Sequence, residues 1–299
     1  MAHGSVSVVI PTRDRGTLLH AAVASVFAAP TPPDEVIIAD DDSVDGSVGE
    51  VIRAFPSVLL VRGTFGNPAR ARNAGVAAST GDLLAFLDSD DLMSPPKTSS
   101  LADRLRADDG LVLVHGTTDA IDADGTPAPA LTKIHRDRYA LGARTGLDYA
   151  GLAEVCAMFT SATVIRRSSF EEIGGYDESL DAYEDWDLYL RLSLVGRLAY
   201  DASPAAKYRV WPGNMPWDRT ARWTIRVAEK HLAALPPLDR TARKRASYGL
   251  LRRLAESHNV LGDRRATRKA AIAAARAEPT RAAIDPAIWR PFLRSVIRR

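Results

Sequence analysis

The stretch Gly81–Asp91, GDLLAFLDSDD, runs a short apolar strand straight into a cluster of carboxylates. Leu83 to Leu87 have the composition of a strand covered on both faces, and it ends at Asp88-Ser89-Asp90-Asp91. In open α/β sheets ligands collect outside the carboxyl ends of the strands, and hard divalent ions take carboxylate oxygens together with substrate phosphates. The stretch therefore points to a metal-bridged phosphate ligand. The competing reading is an exposed acidic turn, with Asp91 or Ser94 capping a helix that Pro95 and Pro96 open.

Working outward, Val6–Pro11 (VSVVIP) is a second apolar strand, followed by a helix over 18–28. Asp34–Asp42 (DEVIIADDD) is a third strand, again ending in three carboxylates, and Ser43–Ser47 reads as the turn and cap of a helix running through Ile52. A strand at 58–61, a helix at 69–78 and the GDLLAFLD strand complete a β-α-β rhythm that specifies a mostly parallel, Rossmann-like sheet with crossover helices. Two strands thus deliver acids to ends that, in a parallel sheet, share one edge.

In this order, VSVVIPTRDR, EVIIADDDSVDGS, NPARARNAGVAASTGDLLAFLDSDD and GGYDESLDAYEDWDLYLRL resemble glycosyltransferase family 2, the inverting sugar-nucleotide transferases of GT-A fold, over residues 5–215. The resemblance implies an α/β GT-A domain, a nucleoside-diphosphate-sugar donor of UDP or dTDP type, a divalent metal (Mn²⁺ or Mg²⁺), and an acceptor hydroxyl on a glycan, lipid-linked glycan or small glycoside. It also assigns positions. Pro11, Thr12 and Arg13 would hold base or ribose, and Asp40 would accept a hydrogen bond from the imide N–H of uracil or thymine. Asp42 stands where the family often has glycine. Arg72 would contact the diphosphate or pair with the acidic edge. Asp88 and Asp90 are the outer residues of the D-x-D signature: Asp90 the metal ligand, Asp88 on the ribose or on the metal through water. Asp91 is expected to cap the next helix.

The general base should lie on another element. Tyr183–Leu192 (YEDWDLYLRL) is a helix with a large apolar surface and acids crowding its amino terminus, where the helix dipole favours negative charge whatever the function. The resemblance gives Asp185 the role of base and places Glu184 on the acceptor side. One departure concerns Tyr208–Asn214, YRVWPGN, in which Trp211 stands where relatives often carry a histidine serving the metal or the phosphates. Trp211 is expected on the acceptor side; its indole can pack or donate one hydrogen bond but cannot ligate a metal. The six histidines show no ligand spacing.

The chain has 299 residues, one cysteine (Cys156) and a net charge of +2, so no internal disulfide is available and a reducing compartment is expected. No apolar run approaches the ~20 residues of a membrane-spanning helix, and no signal peptide is recognised, so a cytoplasmic location follows as the expectation. The small net charge hides an asymmetry. Residues 217–299 carry 20 Lys/Arg and 7 Asp/Glu, a balance of +13, against −11 for residues 1–216. Helical patterns at 217–235, 239–257, 263–277 and 287–297 make this tail a basic helical extension after a catalytic domain over 1–216, with 247–279 faintly like one tetratricopeptide hairpin. Ending in FLRSVIRR, with Arg294, Arg298 and Arg299, the tail suits peripheral contact with the inner face of a membrane. The alternatives are pairing with the acidic domain or with a second copy in a homodimer. No nucleic-acid-binding motif is present. Two other functions fit the same acidic edge: a non-catalytic sugar-nucleotide-binding homologue, and a sugar-phosphate nucleotidyltransferase, although the latter's Gly-rich phosphate loop is missing after the first strand.

Overall fold

The computed structural model describes residues 4–95, 97–211 and 217–296. Pro96, Pro212–Pro216 of the YRVWPGN region and the terminal Arg298 and Arg299 lie outside the described residues, as does the side chain of Arg294. The chain forms two compact units, 1–140 with 157–212, and 141–156 with 213–299.

The first unit is built on one sheet of eight strands: β1 (Val6–Thr12), β2 (Glu35–Asp41), β3 (Leu59–Gly63), β4 (Leu83–Phe86), β5 (Leu92–Met93), β6 (Leu111–Ile121), β7 (Thr163–Arg166) and β8 (Arg197–Arg209), in the order β3-β2-β1-β4-β7-β6-β8-β5. The strands β3, β2, β1 and β4 are mutually parallel, with Thr12 level with Asp40 and Asp40 level with Arg62. β7 runs antiparallel to both β4 and β6, while β6 and β8 are again parallel. Every residue of β1 and β4 is buried, as expected for central strands sandwiched between helices.

The crossovers are α1 (Thr17–Phe27), α2 (Ser47–Ala54) and α3 (Pro68–Ala77); α4 (Ala102–Ala107) follows, and α5 (Pro129–Thr145) spans the boundary between the units. α3 starts with Asn67 as N-cap, its side chain accepting from the Arg70 amide, and Pro68 in the first turn. Gly75 lets this helix lie against β1, since a Cβ there would come within 2.5 Å of Val9 Cγ1. That close seating fixes where Arg72, three residues earlier, can reach.

Asp91 does not cap a helix. The next element is the two-residue strand β5, which pairs antiparallel with β8, and Asp91 is buried beneath the loop at 1 % exposure. Asp42 explains the family's glycine, because it adopts φ +56°, the left-handed region that glycine enters without cost. The remaining elements of this unit are α7 (Arg167–Glu172), stopped by Gly174 and Gly175 at positive φ, and α8 (Glu184–Leu192).

The second unit is helical: α6 (Tyr149–Glu154), α9 (Trp217–Ala233), α10 (Arg240–Val260), α11 (Arg264–Ala277), α12 (Pro279–Ile284) and α13 (Pro286–Val296). α10 and α11 form a hairpin turning at Gly262, φ +75°, with Asp239 and Asp263 as N-caps. Residues 141–156 join this unit, which a division at 216 leaves with the sheet. Glu154, buried, receives Arg245 at 3.0 Å and Arg281 at 2.6 and 2.8 Å. None of the described helices is long and apolar enough to cross a membrane.

Candidate active site

The carboxyl ends of β3, β2, β1 and β4 form one edge. Here the loops after β1 and β2 are stapled together: the Asp14 side chain accepts from the amides of Val44 (2.8 Å) and Asp45 (3.3 Å), and Gly16 N–H donates to Asp45 (2.8 Å). Pro11 and Thr12 close β1 and are buried. The Thr12 hydroxyl is enclosed with no hydrogen-bond partner among the described residues. Arg13 is exposed and reaches Asp41 at 3.3 Å.

Asp40, expected to meet the base, is completely buried. One oxygen accepts from the Ser43 amide (3.0 Å), the other from Arg62 Nε (2.6 Å). Its carboxylate therefore holds the β2 loop. Asp41, next to it and also buried, accepts from the amides of Phe65 (2.5 Å) and Gly66 (2.8 Å) and from Arg13.

The loop after β4 is organised differently. Asp88 accepts from Arg72 Nη2 at 2.6 Å and stays one-third exposed. Asp90 accepts the Trp211 indole N–H at 3.0 Å, and its backbone carbonyl takes Arg209 Nε at 2.7 Å. Burial, reinforced by neighbouring Asp88, raises the Asp90 pKa. Asp91 accepts from Ser161 Oγ (2.6 Å) and the Arg209 amide (2.8 Å), and burial beside Asp88 and Asp90 raises its pKa further. Beneath the loop Lys97 is fully buried, donating to the carbonyls of Phe86 (2.5 Å) and Ser161 (2.7 Å); burial brings its pKa down to about 7 against the pull of Asp88 and Asp91. Ser161 Oγ also accepts the Asp88 amide at 3.0 Å, so one serine ties Asp88 to Asp91.

Three acids lie at the start of α8, and the fold gives them different partners. Arg72 Nη1 takes Glu184 at 2.5 Å, and Arg191 Nε takes buried Asp187 at 2.8 Å. Glu184, expected on the acceptor side, is thus buried in an ion pair. Asp185 forms no ion pair among the described residues. It is partly exposed, accepts from its neighbour's amide at 2.7 Å and from Thr160 Oγ1 at 3.4 Å, and its pKa is raised to about 7, chiefly by desolvation and then by Glu184. Such a carboxyl is matched to proton transfer near neutral pH.

Arg72 is the link between the two halves of the site. Its guanidinium spans Asp88 and Glu184 while lying 5.3 Å from the centre of the Tyr176 ring, so the metal-type loop and the start of α8 are held one guanidinium apart. It is 4 % exposed and committed to these carboxylates. Beside the cluster, Phe159 packs on Tyr208 (ring centroids 4.8 Å) and His135 (4.9 Å), and the carboxylates of Asp91, Asp88, Asp90 and Asp185 add to burial in raising the Tyr208 pKa.

Among the described residues no three His, Cys, Asp or Glu side chains converge as a metal cage. The donor set here is hard oxygen only, with Asp90 and Asp91 destabilised as anions and Asp90 compensated by an indole N–H and, at longer range, by Arg15. That chemistry fits Mg²⁺ or Mn²⁺ held by one or two carboxylates plus a diphosphate. Sequence reading missed Lys97, Thr160, Ser161 and Arg209. Lys97, a lone cation soon after an acidic strand end, carried a faint signal; Thr160 and Ser161 carried none, because their partners are 25 to 73 residues away.

A largely parallel α/β sheet with acids gathered at its carboxyl edge is a fold shared with solved glycosyltransferases. The chain belongs to glycosyl transferase family 2, whose model matches residues 7–174. It is 30% identical over 193 residues to the uncharacterized glycosyltransferase YwdF of Bacillus subtilis, covering 62% of this chain and 67% of that one. With the O-antigen biosynthesis protein RfbC of Myxococcus xanthus it shares 28% identity over 244 residues, 76% of this chain but only 18% of the larger protein. Solved structures share the GT-A fold: TarS residues 1–349 of S. aureus (TM-score 0.66, 15% identity, 93% of this chain and 82% of that one) and the mannosyltransferase PcManGT of Pyrobaculum calidifontis with GDP-Man and Mn²⁺ (TM-score 0.66, 16% identity, 99% and 85%).

Proposed function

We propose that the protein is an inverting glycosyltransferase that moves a sugar from a nucleoside diphosphate to an acceptor hydroxyl. The observation that carries the reading is the division of labour at α8: Glu184 and Asp187 are neutralised by arginines, leaving Asp185 without an ion pair among the described residues and with its pKa raised to about 7. Asp185 takes the proton from the acceptor hydroxyl as its oxygen bonds to the anomeric carbon; the bond from that carbon to the phosphate oxygen breaks, and the nucleoside diphosphate leaves from the opposite face. Attack opposite the leaving group inverts the configuration. Thr160 holds the Asp185 oxygen, and Arg72 sets its distance from the Asp88 loop. Asp90, with Asp88, would hold a divalent metal, which when bound supplies Lewis-acid stabilisation of the departing diphosphate.

The base and ribose would lie along Pro11–Arg13 and Asp41, where the Thr12 hydroxyl has no hydrogen-bond partner among the described residues and the Asp41 carboxylate, already holding Arg13 and the Phe65 and Gly66 amides, has a lone pair left for a pyrimidine imide. On this placement we favour a UDP or dTDP donor. This agrees with TarS, solved with UDP and with UDP-GlcNAc, whereas PcManGT holds GDP-Man. A thermal-shift series with UDP, dTDP and GDP in Mn²⁺ discriminates among them.

The test of the mechanism is Asp185→Asn. Transfer should fall by ~10²–10⁴-fold with donor affinity retained. In the wild type, transfer should rise as pH passes upward through about 7, because the base must be ionised, and this limb should vanish in the variant. Equal loss of donor affinity would make Asp185 structural and defeat the assignment.

A further inference from the structure

The second unit carries an apolar groove outside the residues assigned to transfer. Between α11 and α13 lies a groove of about 450 Å³ lined by Ala271, Ile272, Ala275, Arg276, Trp289 and Phe292, with Pro279 at one end. Its rim is unusually apolar for a free surface: Ile272 is 44% exposed, Trp289 38% and Leu293 52%. Trp289 and Phe292 meet edge to face at 5.6 Å, so the aromatic wall is ordered.

The charges around it have one sign. Arg265, Arg268, Lys269, Ile272 and Arg276 recur at helical spacing along one face of α11, and all are exposed. Arg290 extends the same sign onto α13. None of these cations has an ion pair among the described residues. From 264 to 296 the sequence holds only two acids, Glu278 and Asp285, and Asp285 is occupied by the Tyr248 hydroxyl at 2.5 Å. An apolar groove ringed by cations rejects its own image, because a symmetric pairing of two copies would bury like charges against each other. It also differs from a phosphate-backbone site, which needs the cations but not the exposed Ile, Leu and Trp. A bilayer surface with anionic headgroups answers both features, with headgroups on the arginines and lysine and interfacial aromatics in the acyl boundary.

We propose that the α11–α13 face docks on anionic lipid membrane, bringing the chain to a membrane-borne acceptor. Full-length protein should sediment with vesicles of phosphatidylcholine plus phosphatidylglycerol and not with phosphatidylcholine alone, and binding should weaken as salt rises towards ~0.15 M. Trp289→Ser with Phe292→Ser should abolish binding. Arg268→Glu with Lys269→Glu, at exposed positions that do not burden folding, should weaken it by at least about tenfold, since each cation near such a surface adds several-fold. Both pairs should leave turnover of a soluble acceptor intact. The proposal is overturned if the protein ignores anionic vesicles at low salt, if neutral vesicles bind it equally, if binding survives both pairs, or if the groove variants instead dissolve a dimer seen by light scattering. Because sedimentation requires no catalysis, this outcome is independent of the transfer reaction.

Discussion

Two strands of one sheet end in acids at the same edge, and the fold uses them for opposite purposes. At β2, Asp40 is met by the Ser43 amide and Arg62, so its carboxylate is spent in holding a loop. At β4, Asp90 and Asp91 crowd Asp88 in a water-poor pocket where burial and mutual repulsion raise their pKa values. Their nearest compensations are an indole N–H, a serine hydroxyl, a backbone amide and a lysine underneath that binds carbonyls. On the proposed function, the first holds a loop and the second group is where a cation would be held.

Asp90→Ala is the sharpest way to break this contrast. It should lower transfer by at least about 10²-fold, and nucleotide affinity in Mn²⁺ should drop to the level seen in excess chelator. Full activity in chelator would place the β4 acids with the β2 acids as structural.

Asp40→Asn tests the other side. It removes a charged acceptor shared by the Ser43 amide and Arg62, and should cost about 1–3 kcal/mol in denaturant unfolding while leaving the metal concentration for half-maximal transfer unchanged. A shift in that metal titration would join the two acid groups into one site.

The smallest effect is expected at Trp211. Trp211→Phe keeps the ring that Arg15 approaches at 5.6 Å but removes the N–H held by Asp90, and should raise the metal requirement about two- to tenfold, the worth of one hydrogen bond. Trp211→His, which restores a ring N–H, should recover most of it. Equal metal titrations for tryptophan and phenylalanine would show that the indole only packs.

Much of the first unit was legible because its signals are local. Apolar runs of four to seven residues ending in acids, alternating with helical spacing, require a parallel sheet, and a parallel sheet puts those ends on one edge. The helices of the basic tail were readable from their periodicity for the same reason. Partner choice was not. Asp91 looked like a helix cap because nothing in Leu92-Met93 announces a two-residue strand whose partner, Ala206–Lys207, lies more than a hundred residues on. Residues 141–156 looked like part of the sheet domain because their packing partners, such as Arg245 and Arg281, come about a hundred residues later.

The sequence by itself determined the architecture, the acidic edge and the shortlist of chemistry: Asp88 and Asp90 at one element, Glu184, Asp185 and Asp187 at another, and a basic helical end. Only the tertiary structure chose among them. A helix amino terminus welcomes all three acids equally, so no local rule selects Asp185. In the proposed mechanism the choice rests on Arg72, 112 residues from Glu184, and on Arg191, which pair with its neighbours and leave Asp185 without an ion pair among the described residues. Likewise the sequence could say that an indole has one proton to give, but not that Asp90, 121 residues away, receives it. The pKa of a carboxyl depends on which charges and how little water surround it, and those are set by long-range contacts that no window of the chain contains.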